Sequence, residues 1–189
     1  MSDVSDVSDP PRVVITGSES TGKSVLAHEL AARYGAELVP EYSREYALAR
    51  NNVLGPDDVE PIARGQIELE DAHIAAARRN HATLVIQDTD LLSTAVYAAH
   101  YYGACPTWIT DEARRRSPDL YLLLEIDVPW VADGVRDQEH AREPAQQRFR
   151  DAVAASGAPS AVISGDWTAR REQAITAIDR LLAQRATAG

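Results

Sequence analysis

Between a β-branched run, Val13 to Thr16, and an amphipathic stretch that begins at Ser24, the chain reads GSESTGKS. Residues Gly17 to Ser24 thereby fit the phosphate-loop pattern G-x-x-x-x-G-K-[ST]. The pattern constrains the fold because it works only in a strand, loop and helix frame. The strand delivers the loop to one end of a sheet, and the glycines let successive N–H groups and the first helical turn converge on negative charge. Val13 to Thr16 has the composition of a buried parallel strand. Val25, Leu26, Leu30 and Ala31 then recur near the helical period up to Gly35, a good C-terminal cap. A glycine-rich turn that only joined two elements would not need Lys and Ser after Gly22.

The expected nucleotide-binding residues are therefore Gly17, Ser18, Glu19, Ser20, Thr21, Gly22, Lys23, Ser24 and Val25, with Lys23 directed at the β and γ phosphates of ATP and Ser24 at Mg²⁺. Of the 19 basic residues 18 are arginine, and the only lysine is Lys23. Arginine can supply surface charge wherever lysine does, but its planar fork does not replace a compact ammonium inside a tight phosphate loop.

The rest of the chain alternates strands with helices, which implies a parallel α/β sheet. After Val13 to Thr16 come strands at Glu37 to Pro40, Thr83 to Ile86, Leu120 to Ile126 and Ala161 to Ile163. Helical stretches run from Ser24 to Tyr34, up to Asn80 with a break near Asn51 to Pro56, from Leu91 to Tyr102, and from Thr168 to Leu182. Residues 1–11 repeat Ser-Asp-Val and end in Pro-Pro, too polar a pattern to pack, and are expected to be a disordered acidic tail before a single domain over 12–186.

Composition excludes several partners. A net charge of −10 repels a polyanion, so nucleic acid is not an expected ligand. No apolar run approaches the roughly 20 residues that span a bilayer, and the polar N-terminus does not read as a signal peptide. With Cys105 alone there is no intrachain disulfide, and the expected compartment is the cytoplasm. The five histidines lack ligand spacing, and the oligomeric state is left open.

Chemistry concentrates at the carboxyl ends of the strands, where open α/β sheets bind ligands. QDTD, Gln87 to Asp90, ends the third strand: Asp88 is the better candidate on the metal side, while Asp90 either orients a hydroxyl or caps the next helix. PEYSREY, Pro40 to Tyr46, follows the second strand. There Glu41 can orient or deprotonate an acceptor hydroxyl and Arg44 can bind phosphate, or the two form a solvated, paired helix start. WVADGVRDQEHARE, Trp130 to Glu143, reads as a lid near 129–150, with Arg136 and Arg142 able to close over the phosphates; an exposed charged helix is the alternative. Asp166 either borders a base or caps the last helix, and Tyr97, Tyr101, Tyr102 and Trp108 offer a stacking wall or core packing.

In order and spacing, GSESTGKS, PEYSREY, QDTD and WVADGVR resemble the ribosylnicotinamide kinase domain of NadR-type proteins over roughly residues 12–185. The resemblance implies a three-layer P-loop kinase fold with a five-stranded parallel sheet and a short helical lid. It also implies an ATP- and Mg²⁺-dependent kinase acting on the 5′-hydroxyl of nicotinamide riboside in NAD salvage; on the residues alone, another nucleoside or nucleotide as acceptor, or an ATP-dependent switch or regulatory binding module, stays open. By motif position, Lys23, Glu41, Asp88, Asp90 and Arg136 would be catalytic, Ser24 and Asp88 would hold the metal, and Glu41, Tyr42, Arg44, Asp88, Asp90 and Trp130 would face the acceptor, a small-molecule nucleoside. Members of the family carry an aromatic residue before the Glu-Tyr pair, where this chain has Pro40. They also carry an adenylyltransferase domain, so a stand-alone kinase is the expectation here.

Overall fold

The computed structural model describes residues 9–127 and 142–188. Its centre is a five-stranded sheet in the order β2-β3-β1-β4-β5, every neighbouring pair parallel. The strands are β1 (Arg12–Thr16), β2 (Glu37–Val39), β3 (Val85–Asp88), β4 (Leu120–Leu124) and β5 (Ser160–Ile163). Helices cover both faces, and the inner strands accordingly read as continuous apolar runs such as LYLLL in β4, all five residues buried.

On one face, α1 (Lys23–Tyr34) and α7 (Trp167–Ala188) pack Leu26, Leu30, Ala174 and Ile178 onto Val13, Ile15, Leu122 and Leu124. On the other lie α3 (Val59–Arg79), α4 (Leu91–Tyr102), α5 (Thr107–Arg115) and α6 (Arg142–Ser156), whose core is Val14, Tyr121 and Leu123 with Ala63, Val96, Ile109 and Phe149. A short helix, α2 (Tyr42–Leu48), and a 3₁₀ turn at Pro56–Asp58 bridge β2 to α3. This is the three-layer arrangement expected of the sequence. No helix among the described residues is long and apolar enough to cross a membrane.

Three expectations need correction. Residues 9–11 are not a loose tail: Arg78 donates two hydrogen bonds of 2.6 Å to the Asp9 carboxylate, and the Pro11 carbonyl accepts from Val85 N–H at 2.9 Å. The short-range polarity of this stretch hid partners 69 and 74 positions away. Helix α5 fell in a stretch without an assigned element, because only Ile109 and Ala113 of its nine residues are buried, too few to print a helical period. Residues 142–150, assigned to the lid by charge density, begin α6. Positions 142, 145, 146, 149 and 153 form its buried face, while the charges crowd the outer one. The remainder of the expected lid, with Trp130 and Arg136, lies outside the described residues.

Candidate active site

The phosphate loop wraps the end of β1 as its glycines require. Gly17 has φ +131°, and a Cβ there would stand 2.6 Å from the Leu124 carbonyl oxygen. Gly22, at φ +83°, would drive a Cβ to 1.9 Å from the ring of Trp167. Ser20 is held at φ +53°, a conformation costly for a side-chain-bearing residue. The loop is tied shut internally, Lys23 Nζ donating to the Ser18 carbonyl at 2.7 Å and Thr21 Oγ1 donating to the same oxygen at 2.9 Å. Lys23 is buried.

Residues far along the chain hold the loop from outside. Gln146 of α6 accepts from Ser18 N–H at 2.9 Å and donates to the Leu124 carbonyl at 3.0 Å, joining the loop to the end of β4. Arg142 donates to the carbonyls of Glu19 and Ser20 at 3.3 and 3.1 Å. Arg170 of α7, fully buried, donates to the carbonyls of Thr21, Glu125 and Gly165 at 3.0, 2.7 and 2.8 Å and pairs with Asp127. Arg142 stands in the charged stretch expected to be a lid, whereas Gln146 and Arg170 belong to no recognisable motif. Their only sequence signal is a polar residue on the inward face of a helix. Asp166 resolves as the cap of α7, accepting from Ala169 N–H at 2.8 Å. Half-exposed Trp167 lies against Gly22.

Asp88 and Asp90 part company at Thr89, a β-branched residue at φ +68°. Asp88, the last residue of β3, faces the loop and takes a hydrogen bond from Ser24, leaving its Oδ1 with no protein partner. Burial, and then the nearby Glu41 carboxylate, push the Asp88 carboxyl above its ordinary value, against the pull of Ser24, Lys23 and Arg44. Asp90 points into the protein, where it caps α4 by accepting from Ser93 N–H at 3.3 Å and from the Tyr121 hydroxyl at 2.7 Å. Burial raises both Asp90 and Tyr121, so the hydroxyl keeps its proton. Of the two expected acids, the structure brings Asp88 to the crevice and commits Asp90 to the cap.

Glu41 is the N-cap residue of α2 and is buried, its carboxylate accepting from Ser43 Oγ at 2.6 Å and pairing with Arg44 at 3.6 Å. Tyr42 turns from the crevice to α3, its ring so close to Gly65 that a Cβ there would stand 2.1 Å from it. Next to Glu41 opens a cavity of about 440 Å³ whose wall includes Glu41, Thr89, Ser93, Tyr97 and Tyr101. The rings of Tyr97 and Tyr101 stack at 5.8 Å, and the Tyr101 hydroxyl reaches Glu19 of the loop at 3.5 Å. The aromatic group thus divides: Tyr97, Tyr101 and Tyr102 line this cavity, whereas Trp108 lies under the Arg64 guanidinium at 4.7 Å. Chemically, the arrangement offers a phosphate cradle with one ammonium, an oxygen set suited to a divalent cation, and a carboxylate beside a ring-sized cavity.

The chain is 31% identical over 131 residues to the trifunctional NAD biosynthesis/regulator protein NadR of Escherichia coli (strain K12), an alignment that spans 66% of this chain and 30% of that protein. Its fold is similar to a crystal structure of NadR protein in complex with NR, at a TM-score of 0.75 and 24% identity, over 93% of this chain and 52% of that one. It is also similar to deoxyadenosine kinase from M. mycoides with bound dATP, at a TM-score of 0.64 and 15% identity, over 89% of this chain and 99% of that one. The family model described as AAA domain matches residues 12–170, a span that holds the loop, the crevice acids and the buried side chains that brace them. By that match the chain belongs to the AAA domain family.

Proposed function

We propose that the protein transfers the γ-phosphate of Mg·ATP to the 5′-hydroxyl of nicotinamide riboside, giving nicotinamide mononucleotide, a step of NAD salvage. The observation that carries this reading is the convergence of Lys23 and Glu41 on Asp88, with Glu41 also lining a cavity walled by tyrosines. In this reading the loop amides and Lys23 hold the β and γ phosphates. Ser24 and Asp88 are the residues that would hold Mg²⁺, and the unpartnered Oδ1 of a nearly buried Asp88 fits a cation. The cation, when bound, screens the charge on the phosphates. Glu41 accepts the acceptor hydroxyl's hydrogen bond, aligns it for in-line attack and takes its proton.

The charge of the acceptor favours nicotinamide riboside over neutral nucleosides. Its pyridinium is a cation, and the cavity presents tyrosine rings with the carboxylates of Glu41 and Glu19 close by, which together attract a flat cation. The identity to NadR and the likeness to nucleoside kinase folds support the same class of reaction. A second reading, another nucleoside as acceptor, draws on Pro40, which puts no ring before the Glu41-Tyr42 pair. Phosphate transfer from Mg·ATP to a panel of nucleosides, with Lys23→Ala as control, tests both. Formation of nicotinamide mononucleotide that the substitution abolishes supports the first reading, and preference for a neutral nucleoside supports the second. ATP binding without any transfer would overturn the kinase.

A further inference from the structure

Helix α2 begins in an unusual way. The first N–H groups of a helix lack intrahelical partners, and the N-cap side chain ordinarily takes one of them. Here the N-cap residue is Glu41, and its carboxylate makes no capping hydrogen bond. The Tyr42 N–H instead donates to Gln66 Oε1 of α3 at 3.1 Å. Gln66 is 2% exposed and forms part of the wall of the acceptor cavity.

The orientation of the Gln66 amide is dictated from behind. Its Nε2 donates to Glu70 Oε1 at 3.1 Å, and Glu70 Oε2 accepts from Arg116 Nε at 3.2 Å. Glu70, 1% exposed, thus receives hydrogen bonds from both sides. That fixes the NH₂ of Gln66 toward Glu70 and leaves the carbonyl for Tyr42. Arg116 is itself anchored by Asp71 at 2.5 Å and Glu112 at 3.8 Å. The contact of Gly65 with the Tyr42 ring pins the same residue a second time, on the adjacent position of α3.

We propose that Gln66 is a positioning residue of the acceptor site: acting as a cap supplied from α3, it holds the first turn of α2 and so sets the Glu41 carboxylate toward the acceptor hydroxyl, with Glu70 and Arg116 fixing its amide. This rests on the reading that Glu41 meets the acceptor. A buried glutamine placed only for packing would tolerate an isosteric apolar replacement; one that sets Glu41 would not.

Three variants of the full chain test it: Gln66→Met, Gln66→Glu, and the exchange Gln66→Glu with Glu70→Gln. The exchange swaps donor and acceptor between the two positions while keeping both hydrogen bonds and the buried charge count. Steady-state transfer from Mg·ATP to nicotinamide riboside is measured with the KM of each substrate. Gln66→Met and Gln66→Glu lower kcat/KM for the nucleoside by about tenfold to a hundredfold, while the KM for ATP stays within about twofold. The exchange recovers most of the loss. Unchanged nucleoside kinetics in Gln66→Met, an equal loss toward both substrates, or an exchange no better than Gln66→Glu alone would each overturn the proposal. Amide hydrogen exchange at Tyr42 separates this from a failure of the kinase reading. If no nucleoside is phosphorylated but Gln66→Met deprotects the Tyr42 N–H, the cap stands and the acceptor assignment falls; if that amide is equally protected, the cap is wrong.

Discussion

The two sides of the crevice are built by opposite means. The donor side is local in sequence: eight consecutive residues, Gly17 to Ser24, supply glycine backbone, amides, ammonium and hydroxyl, and their geometry follows from φ angles that the glycines permit. The acceptor side is assembled from α2, the end of β3, α3 and α4, and its polar atoms are set by side chains that hydrogen-bond across 24 to 31 positions, as Tyr42 with Gln66 and Tyr121 with Asp90. A site for a constant group, phosphate, can be written as a motif. A site that must fit one acceptor depends on packing, and its residues are spread along the chain.

If that contrast holds, substitutions on the two sides separate in what they change. The largest effect is expected at Lys23→Ala, which removes the ammonium from the phosphates and lowers phosphoryl transfer by about three orders of magnitude, with the thermal melting point little altered. Transfer assays beside a melting curve would check both.

On the acceptor side, burial and the neighbouring Asp90 push Glu70 from 4.5 to about 7. A carboxyl raised in the folded state adds stability that is fully present below its unfolded value and is lost as pH rises through about 7. Urea unfolding at pH 5 and pH 8 should therefore show wild type losing on the order of 3 kcal/mol more than Glu70→Gln across that window. Equal slopes would mean that Glu70 titrates as an ordinary carboxylate and that the polar backing of the acceptor wall is more hydrated than the structure implies.

Glu41→Gln should lower kcat by about a hundredfold while ATP affinity, measured by calorimetry, is retained. The smallest effect is expected at Asp90→Asn, which keeps an oxygen for the α4 cap but weakens the bond from Tyr121. It should cost about 1 kcal/mol of stability and leave kcat per folded molecule near wild type, in contrast to Asp88→Asn. Were Asp90→Asn to cut kcat as deeply as Asp88→Asn, the division of labour at Thr89 would be wrong.

The same contrast explains what the sequence disclosed. The phosphate loop, all five strands and the helix Leu91 to Tyr102 were legible because each is a local pattern of period, punctuation or motif. Asp88 was read as the metal-side acid, but whether Asp90 orients a hydroxyl or caps α4 stayed open, since the turn of Thr89 into a left-handed conformation decides it. Gln146 and Arg170 escaped notice because their partners on the phosphate loop lie more than 100 positions away and their residue types are common on exposed helices; Arg142 was marked, but as part of a lid rather than as a brace of the loop backbone. Gln66 was hidden for a related reason: nothing in Arg64 to Glu68 marks a cap for a helix that starts 24 positions earlier.

The most direct measurement is the product formed from Mg·ATP and nicotinamide riboside by the wild-type protein, compared with Lys23→Ala and Glu41→Gln. Nicotinamide mononucleotide is expected in stoichiometric amounts with ADP, abolished by the first substitution and strongly slowed by the second. ADP release without nicotinamide mononucleotide, or product formation indifferent to Glu41, would contradict the proposed transfer.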